Sequence, residues 1–303
     1  MAMRMEVDVD ALFKAGKILE DALELAWKLL DHGERSGLKI ADAVEAHILE
    51  HAKPAFPCNV GPDRLAAHFA PTDDRPGSLE GAHLVKIDAG VHVDGWIADA
   101  AFTYPFDEEG ERLALAAREA LLAAAEVIRP GASVADVGKA VSEVAKRHGL
   151  KPIVNLGGHE IKQYDLHAGL FVPNVPQGKG TLEEGMIVAV EPFLSTGRGR
   201  VEDGSIATIF SLMRPRARGA ARQLLDYIRR EYRSLPFAEK WVVRRFGSSA
   251  RLHLYTLVKS GAVYAYPELL EVPGSLVGQF ETTFYVDRDG GQPVVDTFKF
   301  LAP

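Results

Sequence analysis

The dipeptide Asp94-Gly95 stands between two long apolar runs, LVKIDAGVHV and WIADAAFTY. Two adjacent residues that tolerate positive φ, flanked by strand-forming sequence, are the strongest short-range signal for a two-residue β-hairpin. Such a turn fixes the register of everything beyond it. Val93 pairs with Trp96, Asp99 then faces Gly90, and Asp88 faces Ala101. The two aspartates become diagonal neighbours on one face, with Cα atoms roughly 7–8 Å apart. The other face carries Val85, Ile87, Ala89, Val91, Val93, Trp96, Ala98, Ala100 and Phe102 and must be core. Carboxylates that close repel one another, and one or two divalent cations remove the penalty. The hairpin alone leaves two readings: solvated aspartates on an exposed strand face, or a metal-binding pair.

Further donors lie downstream. His159 follows two glycines in NLGGHEIKQYDLHAG, where backbone can approach a ligand closely, and His167 comes eight residues later. A lone histidine is more often a hydrogen-bonded core or loop residue than a ligand. Glu191 ends the apolar run MIVAV, and Glu281 stands at the start of another in QFETTFYV. A carboxylate in such a place needs a metal, an arginine or a proton, because burying it unpaired is costly. Two Asp, two Glu and one His on or beside strands form the hard-donor set of a dinuclear site that activates water.

Around these motifs the pattern predicts helices over residues 8–31 and 39–51, and a Pro- and Gly-punctuated stretch from Phe56 to Gly81 that holds His68. Two helices follow the hairpin, the second starting at Ser133. Strands are expected over 152–159, 186–193 and 205–211, helices over the basic segment 212–260, and closing strands in QFETTFYVD and QPVVDTF. The class is α+β. The 303 residues suit one large domain, and 47% apolar residues supply a core. A net charge of −7 argues against nucleic acid as the main ligand. The single cysteine, Cys58, rules out an internal disulfide and fits a reducing compartment. No signal-peptide h-region and no membrane-length apolar window is found, so a cytoplasmic protein is expected.

The segments AAHFAP, KIDAGVHVDGWIADAAFT, GGHEIKQYDLHAG, VAVEPF and GQFETTFYV resemble the metal and substrate motifs of type II methionine aminopeptidases, most of all the archaeal form. Their order and spacing are similar, from Phe56 to the carboxyl end. The resemblance implies a pita-bread fold, with an antiparallel sheet backed by helices, over residues 1–303 as one catalytic domain. A helical insert subdomain is implied at about 212–270. It implies that Asp88, Asp99, His159, Glu191 and Glu281 bind two divalent ions, with Asp99 and Glu281 bridging both. It further implies that His68 and His167 contact the substrate and its tetrahedral intermediate, that Glu191 takes a proton from water, and that Phe56 and Tyr266 lie near a methionine pocket. The implied reaction removes the initiator methionine from nascent chains with a small second residue. Mixed carboxylate and imidazole ligation accepts Co, Mn, Fe, Zn or Ni. A monomer is implied.

Three other readings compete. A proline-specific relative of the same fold would keep the ligands, but the insert and the wording of GGHEIKQYDLHAG speak against it. A non-catalytic ribosome- or RNA-binding relative would have lost ligands that are all present here. A cysteine hydrolase built on Cys58 and His68 lacks any thiolate-stabilising surroundings. Arg222, Arg229, Arg230, Arg233, Arg244 and Arg245 are read first as a solvated helix face, and second as a transient dock on ribosomal RNA.

Overall fold

A computed structural model describes residues 7–214 and 221–301. Part of the basic run RPRARGAARQ therefore lies outside the described residues. Helices α1 (Val9–Asp31) and α2 (Gly37–His51) come first, followed by β1 (Lys53–Pro62), β2 (Leu65–Ala67), and the ribbon of β3 (Leu84–Val93) and β4 (Trp96–Pro105). Helices α3 (Glu108–Ala125) and α4 (Val134–Arg147) lead to β5 (Lys151–Pro152), β6 (Gly157–Ile161), β7 (Phe171–Pro173), β8 (Ile187–Val190), β9 (Phe193–Ser195) and β10 (Glu202–Leu212). Then come α5 (Ala221–Glu231), β11 (Phe237–Ala238), α6 (Glu239–Phe246), α7 (Ala250–Lys259), β12 (Val263–Leu270), β13 (Val277–Gln279), β14 (Glu281–Val286) and β15 (Gly291–Pro293).

The ribbon takes the register that its turn dictates. Asp94 and Gly95 have φ of 51° and 89°, Val93 faces Trp96, Gly90 faces Asp99, and Asp88 faces Ala101. Its apolar face is core, with Ile87, Ala89, Val91, Ala98, Ala100 and Phe102 all at 0% exposure. Helix α1 covers that face. Its 3.6-residue spacing turns Leu12, Leu19, Leu23, Ala26 and Leu30 inward, and the Asp8 side chain caps it by accepting from the Ala11 N–H at 2.9 Å. Each buried leucine contributes about 1.5–3 kcal/mol of transfer free energy. Trp27 closes the contact, its ring 5.2 Å from those of Phe102 and Phe300.

The large antiparallel sheet runs β1-β3-β4-β14-β8-β6-β7, with β15 paired to β14. A second sheet, β11-β10-β12-β2, carries α5, α6 and α7 over a core of its own that includes Phe210, Leu225, Ile228, Phe237, Leu254 and Leu257. The two regions are joined by a buried polar contact. Lys240 lies 2.9 Å from Asp42 and 3.0 Å from Glu45 of α2, and the Trp241 ring N–H donates to Glu45 at 2.7 Å. A second buried lysine, Lys86, donates to the carbonyls of Asp63 and Val277 at 2.8 and 2.7 Å. It fastens the ribbon to the strand that precedes Glu281.

Several local expectations change. The stretch after Phe56 contains β1 and β2, because β1 finds a partner in β3 that local sequence does not announce. Residues 263–270 form β12, paired with β10. The closing QPVVDTF is strand only at its start. Thr282 Oγ1 then donates to the Val295 carbonyl and the chain leaves the sheet.

Candidate metal centre

Five neighbouring strands of the large sheet each deliver one of the expected ligands. In spatial order they are Asp88 on β3, Asp99 on β4, Glu281 opening β14, Glu191 one residue past β8, and His159 on β6. Registry aligns them. Glu281 and Asp88 both face Ala101, from opposite sides of β4. Thr282 faces Val190, and His159 faces Ala189. The Thr283 hydroxyl fixes the strand position of Asp99 by accepting from its N–H at 2.8 Å and donating to its carbonyl at 2.9 Å. Gly158 lets β6 come this close, since a Cβ there would stand 2.0 Å from the Ala189 carbonyl oxygen.

The ligand atoms of Asp99, His159 and Glu281 lie within 4.8 Å of one another. His159 Nε2 is 3.6 Å from Asp99 Oδ2 and 3.7 Å from Glu191 Oε1. Both separations are too long for hydrogen bonds and suit donors converging on a common centre. Asp99, Glu281 and His159 are 3%, 2% and 8% exposed, so the reading of solvated aspartates fails. Asp88 is part-buried and opens on the cavity, its Oδ2 accepting from Asn59 Nδ2 at 3.3 Å. Gln279 Nε2 holds Glu281 at 2.9 Å.

The electrostatics favour bound cations. Burial pushes the Asp88 carboxyl up to about 7. Burial, then the Asp88 charge, pushes Asp99 well up, and burial followed by neighbouring carboxylates does the same to Glu191 and Glu281. Burial, and then the neighbouring His167, pushes the His159 imidazole down to about 3. No lysine or arginine is among the described residues lining the cavity. Asp88 Oδ1, Asp99 Oδ1, His159 Nδ1 and Asn59 Oδ1 are buried without a hydrogen-bond partner. A neutral imidazole among carboxylate oxygens that nothing else neutralises is a donor set for a divalent transition ion, and these residues fit one.

The centre lies in a cavity of about 350 Å³. All nine residues singled out from sequence line it: Phe56, His68, Asp88, Asp99, His159, His167, Glu191, Tyr266 and Glu281. The His159 and His167 rings stand 4.3 Å apart. His68 occupies a left-handed backbone conformation, φ 66°, and its Nδ1 lies 3.2 Å from the Pro267 carbonyl. Tyr266 packs edge-on against it at 5.3 Å and shares a hydrogen bond with Ser211 at 3.1 Å. Gly90 makes room for Phe56, whose ring would stand 2.2 Å from a Cβ there. Cys58 is 1% exposed, is not among the lining residues, and has its thiol pushed up by burial. That excludes it as a nucleophile. Asn59 and Gln279, which brace Asp88 and Glu281, were not singled out from sequence. Gln279 could have been found, because in the expected strand QFETTFYVD it stands two residues before Glu281, on the same face.

A pH dependence follows. An acid whose folded-state pKa is raised holds its proton in the folded chain after losing it in the unfolded one. Stability therefore falls as pH rises from the unfolded value towards the folded one, by about 1.4 kcal/mol per group and pH unit. Buried His68 and His159 act oppositely, but only below their unfolded value of about 6.5. Between pH ~6.5 and 8 buried Lys86, whose ammonium burial pushes down to about 7, pulls the other way, but Asp99, Glu191 and Glu281, all pushed well up, outnumber it. Chelator-treated protein is expected to lose thermal stability over that interval, and a divalent ion should restore it and flatten the slope. Thermal unfolding at both pH values, with EDTA and with Mn2+, measures this. Equal or rising stability of the chelated protein towards pH 8 contradicts the electrostatic account.

The metallopeptidase family M24 model matches residues 10–221. The methionine aminopeptidase of Pyrococcus abyssi is 43% identical over 289 residues, covering 93% of this chain and 98% of the relative. Among solved structures, that of a thermophilic Arx1 superposes with a TM-score of 0.84 at 17% identity, covering 95% of this chain and 91% of the other. The methionine aminopeptidase of Rickettsia prowazekii gives 0.68 at 22% identity, covering 95% and 96%. These structural likenesses carry the fold, which is the pita-bread arrangement, and the family carries divalent-metal use. The chain belongs to metallopeptidase family M24, among its methionine aminopeptidases.

Proposed function

We propose that the cavity hydrolyses the first peptide bond of chains that begin with methionine, with Asp88, Asp99, His159, Glu191 and Glu281 holding two divalent ions drawn from Co, Mn, Fe, Zn or Ni. The observation that carries this reading is the convergence of one donor from each of five adjacent strands on the floor of a cavity with apolar walls. Bound there, divalent ions supply Lewis-acid polarisation of the scissile carbonyl and an acidified water.

The remaining chemistry belongs to the chain's own side chains. Glu191, which bound ions would keep ionised, would accept the proton of the attacking water and pass it to the leaving amine. Burial pushes His68 down to about 4, so its ring is neutral near pH 7. A carbonyl only accepts, so the bond to Pro267 places the proton on Nδ1 and leaves Nε2 an acceptor. In that tautomer His68 receives the N–H of the scissile amide. His167, whose ring stands 4.3 Å from that of His159, donates to the carbonyl oxygen in this reading. Phe56 and Tyr266, with Ile209, Pro236 and Leu269, wall the pocket that takes the unbranched, polarizable methionine side chain.

The reading is tested with tripeptides. Met-Ala-Ser should be cleaved, and Met-Lys-Ser and Met-Trp-Ser refused, because the second residue is crowded between the two histidines. A difference of about 2–3 kcal/mol at the transition state gives a kcat/KM ratio of roughly 30–150. Norleucine in first place should be accepted more slowly. Faster cleavage of Ala-Pro-Ser than of Met-Ala-Ser would replace this reading with the proline-specific one.

The chain is proposed to act as one catalytic unit, with residues from about 212 to 270 as an insert, on nascent chains in the cytoplasm. No helix among the described residues is long and apolar enough to cross a membrane. Arg229 and Arg230, on α5, and Arg233 just beyond it supply a dock for ribosomal RNA in this reading. Neutralising the three should leave tripeptide hydrolysis intact and weaken only salt-sensitive ribosome cosedimentation. Absence of any salt-sensitive association in the parent protein removes the dock.

A further inference from the structure

The last turn of α2 carries metal-binding side chains that the peptidase cavity does not use. His47, Glu50 and His51 stand at i, i+3 and i+4, so the helix presents all three on one face. Their donor atoms lie within 4.8 Å of one another, and the two imidazole centroids are 5.1 Å apart. The opposite face of the helix is spent on packing, through Ile40, Ala41, Val44 and Ile48. Glu50 and His51 are exposed and His47 is half-buried. Among the described residues no hydrogen bond or ion pair occupies any of the three side chains.

We infer that His47, Glu50 and His51 form a second, solvent-facing site for a borderline divalent transition ion such as Cu2+, Ni2+ or Zn2+. Two imidazoles and one carboxylate select these ions over Mg2+ and Ca2+, which require oxygen donors. The H-x-x-E-H spacing lets one helical turn offer both imidazoles to a single ion. The C-terminal end of a helix also carries partial negative charge and favours a cation there. The nearest lysine in sequence, Lys53, is already paired with Glu231 at 2.9 Å. The helix supplies three donors from one side, and water completes the coordination. The site is therefore built for binding. An ion held across the turn also stiffens the junction between α2 and β1, the strand that carries Phe56.

The test uses the full-length protein with its catalytic ions loaded, titrated with Cu2+ and followed by electron paramagnetic resonance. The parent is compared with the double variant His47→Gln/His51→Gln. The cavity is the same in both, so any difference belongs to α2. The parent should take up one further equivalent of copper, with hyperfine structure from two imidazole nitrogens. Glu50→Gln should keep that stoichiometry and weaken binding at least about tenfold. Peptidase rates should not change in any of these variants. His32→Gln, just past the end of α1, should behave as the parent. Equal copper uptake by parent and double variant overturns the site, and so does a difference whose signal carries one nitrogen, because a single imidazole is no chelate.

Discussion

Asp99→Ala is expected to abolish turnover and to lower the bound metal. Asp99 lies on β4, between the strands that carry Asp88 and Glu281. It belongs to the tightest group of donors, with His159 and Glu281. Removing one member of a catalytic unit commonly costs as much as removing several, so the loss in kcat should exceed about 10⁴-fold. The fold should survive. The Thr283 hydroxyl grips the backbone of Asp99, not its carboxylate, and the substitution removes an acid that burial and Asp88 already destabilise. Asp99→Asn adds a stricter test, since it keeps the volume and one oxygen but gives up the charge. Metal analysis alongside tripeptide kinetics decides. Near-normal activity with full metal content in Asp99→Ala would end the dinuclear assignment.

The ribbon was legible because its register is set locally. Asp94-Gly95 specifies the turn, the turn specifies which residues face each other, and period-2 alternation places Asp88 and Asp99 on one side. What local pattern could not give is the company those residues keep. β14, β8 and β6 join β4 through pairings far apart in sequence. Glu281, Glu191 and His159 were therefore recognisable as unusual residues, or by family likeness, but not as neighbours. For the same reason the face of the two aspartates could be read as solvated. The strand that carries Tyr266 was missed because Val263–Leu270 follows a helical run and contains Pro267. Its strand character comes from β10 and β2, its partners on either side. Two-residue strands such as β5 and β11 exist only through such partners. Asn59 gave no sign of its contact with Asp88, since it faces that residue only through the pairing of β1 with β3, whose register shifts just before it, between Phe56 and Asn59.

His68→Ala is expected to lower kcat by roughly 10²–10⁴ while the metal stays bound, the loss expected for a polar group that acts on the reacting bond. The residue stands apart from the donor cluster. It is held by the Pro267 carbonyl on β12 and by the edge of Tyr266, and it does not belong to the group formed by Asp99, His159 and Glu281. Its backbone lies in the left-handed region, which costs a non-glycine residue of order 1–3 kcal/mol and persists only where the surroundings hold it. Alanine needs the same conformation, so the fold should change little. The pH profile separates this role from general-base catalysis. Burial holds the ring down to about 4, so His68 stays neutral through the range in which an ordinary histidine titrates. Replacing it should scale kcat without moving an acid limb between pH ~5 and 7. His68→Gln, which retains an acceptor oxygen, should recover part of the rate if the ring receives the amide N–H. If kcat falls and the metal is lost with it, His68 is a ligand and its place beside the amide is wrong. If the acid limb shifts, the ring carries a proton in the reaction and the tautomer drawn from Pro267 is wrong.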